Sequence, residues 1–75
     1  MSSPDRLIHM ANQIGVFFES MPDRHQAEQD LATHLKKFWD PRMRRAFLEL
    51  MDGSAGEQIS DIVRTAVREH RALLA

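Results

Sequence analysis

Three prolines divide this chain, and each stands where a helix can begin. Pro4, Pro22 and Pro41 lie just ahead of runs whose apolar residues recur every three or four positions. Proline is favoured at the first helical position, where its missing N–H has no intrahelical partner to lose, and costs about 3 kcal/mol inside a helix. Ser3 and Asp40 precede two of the prolines and are residue types that cap helix N-termini. Further on, Gly53 and Gly56 bracket a turn, and Gly53 reads as a left-handed helix stop. Ser60-Asp61 suits the start of a last helix, with Ser60 as N-cap and an acid in the first turn.

Counting 100° per residue places four helices near residues 4–20, 24–39, 41–52 and 59–74. Leu7, Met10, Ala11, Ile14, Phe17, Phe18 and Met21 share one face of the first. Ala27, Leu31, Leu35, Phe38 and Trp39 share one face of the second. Met43, Ala46, Phe47, Leu50 and Met51 do so in the third, and Ile59, Ile62, Val63, Ala66, Val67, Leu73 and Leu74 in the fourth. No segment alternates with the period of two that a half-buried strand needs. The predicted fold is all-α: a compact bundle of four short helices, in one domain over residues 1–75. Proline disfavours helical geometry in the residue before it, so Trp39-Asp40-Pro41 predicts a tight corner between the second and third helices. Ile8 at the stripe margin, Val16 opposite it and Leu48 off the main face are surplus apolar positions. They read either as ordinary single exposures or as surface that a partner covers.

Composition removes whole classes of function. The sequence contains no cysteine, which excludes a disulfide framework, a Cys-ligated zinc, a Cys-held iron–sulfur cluster and a thiol nucleophile. Ten Lys and Arg against eleven Asp and Glu leave a formal charge of -1, so no global basic field favours nucleic acid. The N-terminus has no basic leader region, and apolar runs such as Val16-Phe17-Phe18 fall far short of the roughly 20 residues that span a bilayer. The expectation is a cytoplasmic protein with no membrane association. With 75 residues and no staple, such a core supplies only about 3–5 kcal/mol net, which favours a chain that associates with something larger.

Catalytic patterns do not appear. His9, His25, His34 and His70 form no His-Glu-x-x-His motif, and no Gly-x-Ser-x-Gly, Ser-x-x-Lys or phosphate-binding glycine loop occurs. No catalytic, cofactor-binding or metal-ligating residue is expected. Asp30 and His34 have the spacing to face each other, but they make neither a metal site nor a catalytic set alone. The local charge concentration is Lys36, Lys37, Arg42, Arg44 and Arg45 around Trp39, interrupted only by Asp40. It reads as a solvated patch, as a protein contact surface of the Arg and Trp types that anchor interfaces, or as a helix-turn-helix nucleic-acid site. Lys37, Trp39, Arg42, Arg44 and Arg45 are therefore the candidate partner interface. Asn12 and Gln13, on the flank away from the core stripe of the first helix, are candidates for directional hydrogen bonds to a partner. His70, inside the apolar stripe of the fourth helix, is a further candidate contact.

Lys37-Phe38-Trp39-Asp40-Pro41-Arg42-Met43-Arg44 resembles the signature of the delta subunit of NAD-dependent, molybdenum- or tungsten-containing formate dehydrogenases. Leu7-Ile8-His9-Met10-Ala11-Asn12-Gln13-Ile14-Gly15 with Phe17-Phe18 is similar to that family's N-terminal segment, and Ser60–Val67 to its last helix. The family often has proline after the capping serine, where this chain has Asp61. The resemblance implies a small accessory subunit of a cytoplasmic enzyme that oxidises formate with NAD, supporting assembly or stability. It implies partners that carry the cofactors: a large subunit with molybdopterin and iron–sulfur clusters, and others with flavin and further clusters. The large molybdopterin subunit is the expected direct partner, and this chain itself is expected to bind no cofactor. The other readings that the residues leave open are a small helix-turn-helix nucleic-acid-binding protein and a self-associating helical adaptor that forms a homodimer when isolated.

Overall fold

A computed structural model of the chain describes residues 4–75. Five α-helices follow in order: α1 (Pro4–Glu19), α2 (Arg24–Phe38), α3 (Pro41–Asp52), α4 (Asp61–Glu69) and α5 (Arg71–Leu74), with a 3₁₀ turn at Ser54–Gln58 between α3 and α4. No strand occurs among the described residues. The all-α expectation holds, with four longer helices and a short fifth. The expected helix over 59–74 is divided by His70, whose backbone (φ -117, ψ 28) leaves helical geometry between α4 and α5. The expected cap at Ser3 lies outside the described residues.

Local chemistry explains most of the boundaries. α1 ends where Ser20 Oγ donates to the Phe17 carbonyl at 2.8 Å, and Pro22 follows. Asp23, which the proline pattern does not single out, caps α2: its carboxylate accepts from the Gln26 N–H at 3.1 Å. Asp40 caps α3 as expected, accepting from the Met43 N–H at 2.9 Å, with Pro41 at the first helical position. Gly53 is not a left-handed stop. Its backbone is extended (φ -103, ψ -173), and no described residue has positive φ. The glycine that this turn requires is Gly56, where a Cβ would stand 2.8 Å from the Met51 carbonyl oxygen. Close approach of backbone to backbone, rather than an unusual dihedral, sets the residue.

The core is continuous through all the helices. Ile8 and Ala11 of α1, Ala27, Leu31 and Leu35 of α2, Phe47 and Leu48 of α3, Ile62, Val63, Ala66 and Val67 of α4 and Leu74 of α5 are buried together. Ile59 joins them from the extended segment ahead of α4. Ile8 and Leu48, assigned by helical angle to the margin or off the main face, are core residues. Their burial follows from having neighbours on several sides: α1 meets α2, α3 and α4, and α3 meets α1, α5 and the 3₁₀ turn, so each buried arc is wider than a single stripe. Conversely Phe17, Phe38 and Leu73, which share the apolar stripes, are exposed, and Val16 is exposed as its angle predicts. An angle on a helix says which way a side chain points and not whether another element is long enough to reach it.

At the far end of the bundle, Arg71 at the start of α5 grips Asp52 at the end of α3 through two parallel hydrogen bonds, at 3.1 and 2.8 Å. The hydrogen bond and charge of Asp52 hold the Arg71 guanidinium above its ordinary pKa. Both groups face solvent, so this pair fixes geometry more than it stabilises.

Candidate functional site

The segment 37–44 is the corner between α2 and α3, and its side chains divide into two groups. The first group builds the corner. Trp39 leaves α2 in extended conformation, with its N–H bonded to the Leu35 carbonyl at 3.0 Å. Its indole turns inward, only 5% exposed, and meets Phe47 edge-on at 5.5 Å between ring centroids. Such pairs add about 0.5–1.5 kcal/mol beyond the area they bury. Arg44, one turn into α3, reaches back so that its Nη1 donates to the Lys36 carbonyl at 2.9 Å. That carbonyl is one of the last of α2, which lack intrahelical donors. A cation there also complements the negative end of the helix dipole. The guanidinium is largely buried, and its Nε has no partner.

Trp39 and Arg44 are therefore not contact surface, as the sequence suggests, but the inside of the corner. Both are residue types that anchor interfaces between proteins; here the interface they anchor is between two helices of one chain. The second group points outward. Lys37, Phe38, Arg42 and Arg45 are all exposed. Asp40, Pro41, Arg42 and Arg45 line an open concavity of about 420 Å³. Glu49, four residues after Arg45 on α3, forms no ion pair with it among the described residues.

Asn12 also differs from its expectation. It is half-buried, and both ends of its amide are used within the chain. Nδ2 donates to the Gln58 carbonyl and Oδ1 accepts from the Ser60 N–H, each at 2.9 Å. The Ser60 amide is an orphan donor at the start of α4, so Asn12 serves as a cap supplied from another helix. Ser60 itself occupies the N-cap position without making a side-chain cap bond, and its Oγ is buried without a partner. Asn12→Ala leaves the part-buried Ser60 N–H without its acceptor, while water can replace the donor to the exposed Gln58 carbonyl, and is expected to cost about 1–3 kcal/mol, read as a lower midpoint in chemical denaturation. Gln13→Ala beside it, on the exposed side, is expected to leave the midpoint unchanged. Equal midpoints for the two variants contradict a capping role for Asn12. His70 is half-buried at the α4–α5 break, where its N–H bonds to the Ala66 carbonyl and its carbonyl accepts from the Leu73 N–H.

The feature that periodicity does not reveal is a ridge of aromatic rings crossing α1 and α2. Phe17 meets Phe18 edge-on at 5.1 Å, Phe18 meets His34 at 5.9 Å, and His34 lies against Phe38 at 4.7 Å. Phe18 and His34 are half-buried, while Phe17 and Phe38, at the two ends, are 70% and 72% exposed. His34 thus packs between rings and does not pair with Asp30, whose carboxylate accepts from Gln26 Nε2 at 2.8 Å. A second cross-helix grouping joins His25, Glu28 and Glu69, whose donor atoms lie within 4.8 Å of one another. The buried Glu28 carboxylate already has a counterion in Arg24, at 3.1 Å.

A family model described as NADH-dependent formate dehydrogenase delta subunit FdsD matches residues 6–67. The chain belongs to this family. No curated protein and no solved structure matches it. The match to FdsD takes in most of α1, with Asn12, the whole α2–α3 corner and most of α4, and ends before His70 and α5. In this FdsD chain no helix among the described residues is long and apolar enough to cross a membrane.

Proposed function

We propose that this chain is a non-catalytic accessory subunit of a cytoplasmic NADH-dependent formate dehydrogenase, supporting assembly or stability of the subunits that carry the cofactors. The observation that carries this reading is the family match across residues 6–67. The chemistry of the side chains supports it. With no cysteine, the chain lacks the ligand that holds iron–sulfur clusters, so the electron path runs through other subunits. In this reading molybdopterin, iron–sulfur clusters and flavin belong to those partners, and the large molybdopterin subunit is the direct contact. The small core supports it too: a domain with about 3–5 kcal/mol of net stability gains in proportion to how tightly a partner binds its folded form.

Deleting the chain from its native host tests the proposal. NAD-linked formate oxidation in extracts is expected to fall at least about tenfold, and re-expression of the chain is expected to restore it. Purification through a tag on this chain is expected to recover the large subunit. Unchanged formate oxidation after deletion, with no other formate dehydrogenase subunit recovered, overturns the reading.

A further inference from the structure

The corner leaves a specific surface without a role. Trp39, Asp40 and Arg44 are occupied in holding α2 to α3, but Lys37, Phe38, Arg42 and Arg45 make no such contacts. Phe38 ends the aromatic ridge that begins at Phe17, so two large exposed rings flank a half-buried ring pair; Lys37 precedes Phe38 on the last turn of α2, and Arg42 and Arg45, which line the concavity, stand on the first turns of α3 just after the corner. We propose that this surface, an exposed Phe17–Phe38 ridge edged by Lys37, Arg42 and Arg45, docks into an apolar pocket rimmed by carboxylates on another subunit of the formate dehydrogenase. The proposal rests on the accessory-subunit reading and adds where the chain docks and what chemistry receives it.

Charge decides the occupant. Over residues 36–45 the chain carries Lys36, Lys37, Arg42, Arg44 and Arg45 against Asp40 alone. The Asp40 carboxylate is taken by the Met43 N–H, and Arg44 by the Lys36 carbonyl. Among the described residues, none of Lys36, Lys37, Arg42 and Arg45 enters an ion pair. A two-fold dimer through this face sets the same cations against themselves, because such an interface brings one patch against its own copy. Like charges placed face to face cost several kcal/mol, so a second copy is the wrong partner. A surface with apolar depth and an acidic edge fits both the rings and the cations. Aromatic side chains filling pockets, with arginine beside them, are the pattern that carries most binding energy at protein interfaces.

The test compares three double variants of the full chain, co-expressed with the remaining subunits and also purified alone. Phe17→Ser/Phe38→Ser and Lys37→Glu/Arg42→Glu are each expected to weaken association at least about tenfold. Arg68→Glu/Gln29→Ala, at exposed positions of α4 and α2 that the surface does not include, is expected to bind as the wild type does. The isolated variants are expected to keep wild-type helicity and melting temperature, since all the substituted side chains face solvent, and the wild-type association rate is expected to fall with added salt. Wild-type association of the phenylalanine and charge variants, while the parent chain co-purifies with the enzyme, overturns this surface and leaves the subunit reading standing. Failure of the parent chain to co-purify overturns both. Binding of the parent chain to phosphatidylserine vesicles or to duplex DNA, or an isolated homodimer, that the same variants abolish assigns the surface to a different occupant and also overturns the proposal.

Discussion

Trp39→Ala is expected to unfold the isolated chain at 25 °C, while Phe38→Ala, one residue away, leaves it folded. The indole is buried against Phe47 at the point where α2 turns into α3, and the Phe38 ring is mostly in water. Truncating a buried aromatic side chain to alanine costs about 3–5 kcal/mol, from lost burial and the cavity left behind. That equals the whole net stability of about 3–5 kcal/mol that a core of this size supplies without disulfide or metal. An exposed substitution stays within about 0.5 kcal/mol. Far-ultraviolet circular dichroism with a thermal melt separates the two: a sigmoidal melt for Phe38→Ala, and a shallow one from already reduced helicity for Trp39→Ala. A cooperative wild-type melt from Trp39→Ala contradicts the core position of the indole. Partner subunits shift the balance back toward the folded form, so the contrast is sharpest in the chain alone.

Gly15→Val is expected to be nearly as severe, and Gly15→Ala gives the more discriminating result. Gly15 lies within α1, where glycine is about 0.8–1.0 kcal/mol worse than alanine, so helix propensity alone predicts that alanine stabilises. The packing predicts the reverse. A Cβ at Gly15 would stand 2.8 Å from Val63 Cγ2, 3.1 Å from Ile62 Cγ2 and 3.2 Å from Ser60 Oγ. Val63 and Ile62 are fully buried and β-branched, so neither has a free rotamer to move into. Forcing extra carbon into a packed core costs about 1–3 kcal/mol, which offsets or exceeds the propensity gain for alanine. Valine adds two more methyl groups at the same place and drives α1 off α4. Because about 1 kcal/mol moves the melting temperature of a domain this size by roughly 4–8 °C, the sequence wild type, then alanine, then valine is resolvable in a standard melt. A higher melting temperature for Gly15→Ala than for the wild type contradicts the close α1–α4 contact.

Gly15 and Asn12 act together. They stand one turn apart on α1 and both address Ser60, one by leaving room and the other by supplying the hydrogen bonds that the start of α4 lacks. The small side chain admits the helix and the amide fixes its register. Nothing in the local sequence around Asn12 announces this, because its partners are Gln58 and Ser60, far along the chain. An asparagine on the polar flank of an amphipathic helix looks the same whether it faces water or an orphan amide.

The corner shows both sides of the same limit. Asp40-Pro41 is legible residue by residue, since an N-cap followed by proline is a local event complete within four residues. Which members of the basic cluster are surface is not legible. Lys37 and Arg44 are both cations flanking Trp39 in sequence, yet Lys37, on the last turn of α2 itself, is exposed, and only Arg44 folds back to a carbonyl at the end of α2. The aromatic ridge is hidden for a related reason: Phe17, Phe18, His34 and Phe38 belong to two helices, and only the packing of α1 on α2 brings them into one line.

By itself the sequence determined the all-helical class, the approximate helices, the cap and corner at Asp40-Pro41, and the absence of thiol chemistry. Each of these depends on spacing within a turn or two, or on composition. The tertiary structure alone decided that Trp39 and Arg44 hold the corner from inside, that Asn12 and Gly15 receive α4, and that Phe17 and Phe38 remain in solvent. Those outcomes depend on how far one helix extends along another. A period of 3.6 residues gives the direction of a side chain around its own axis and carries no information about where the neighbouring axis ends.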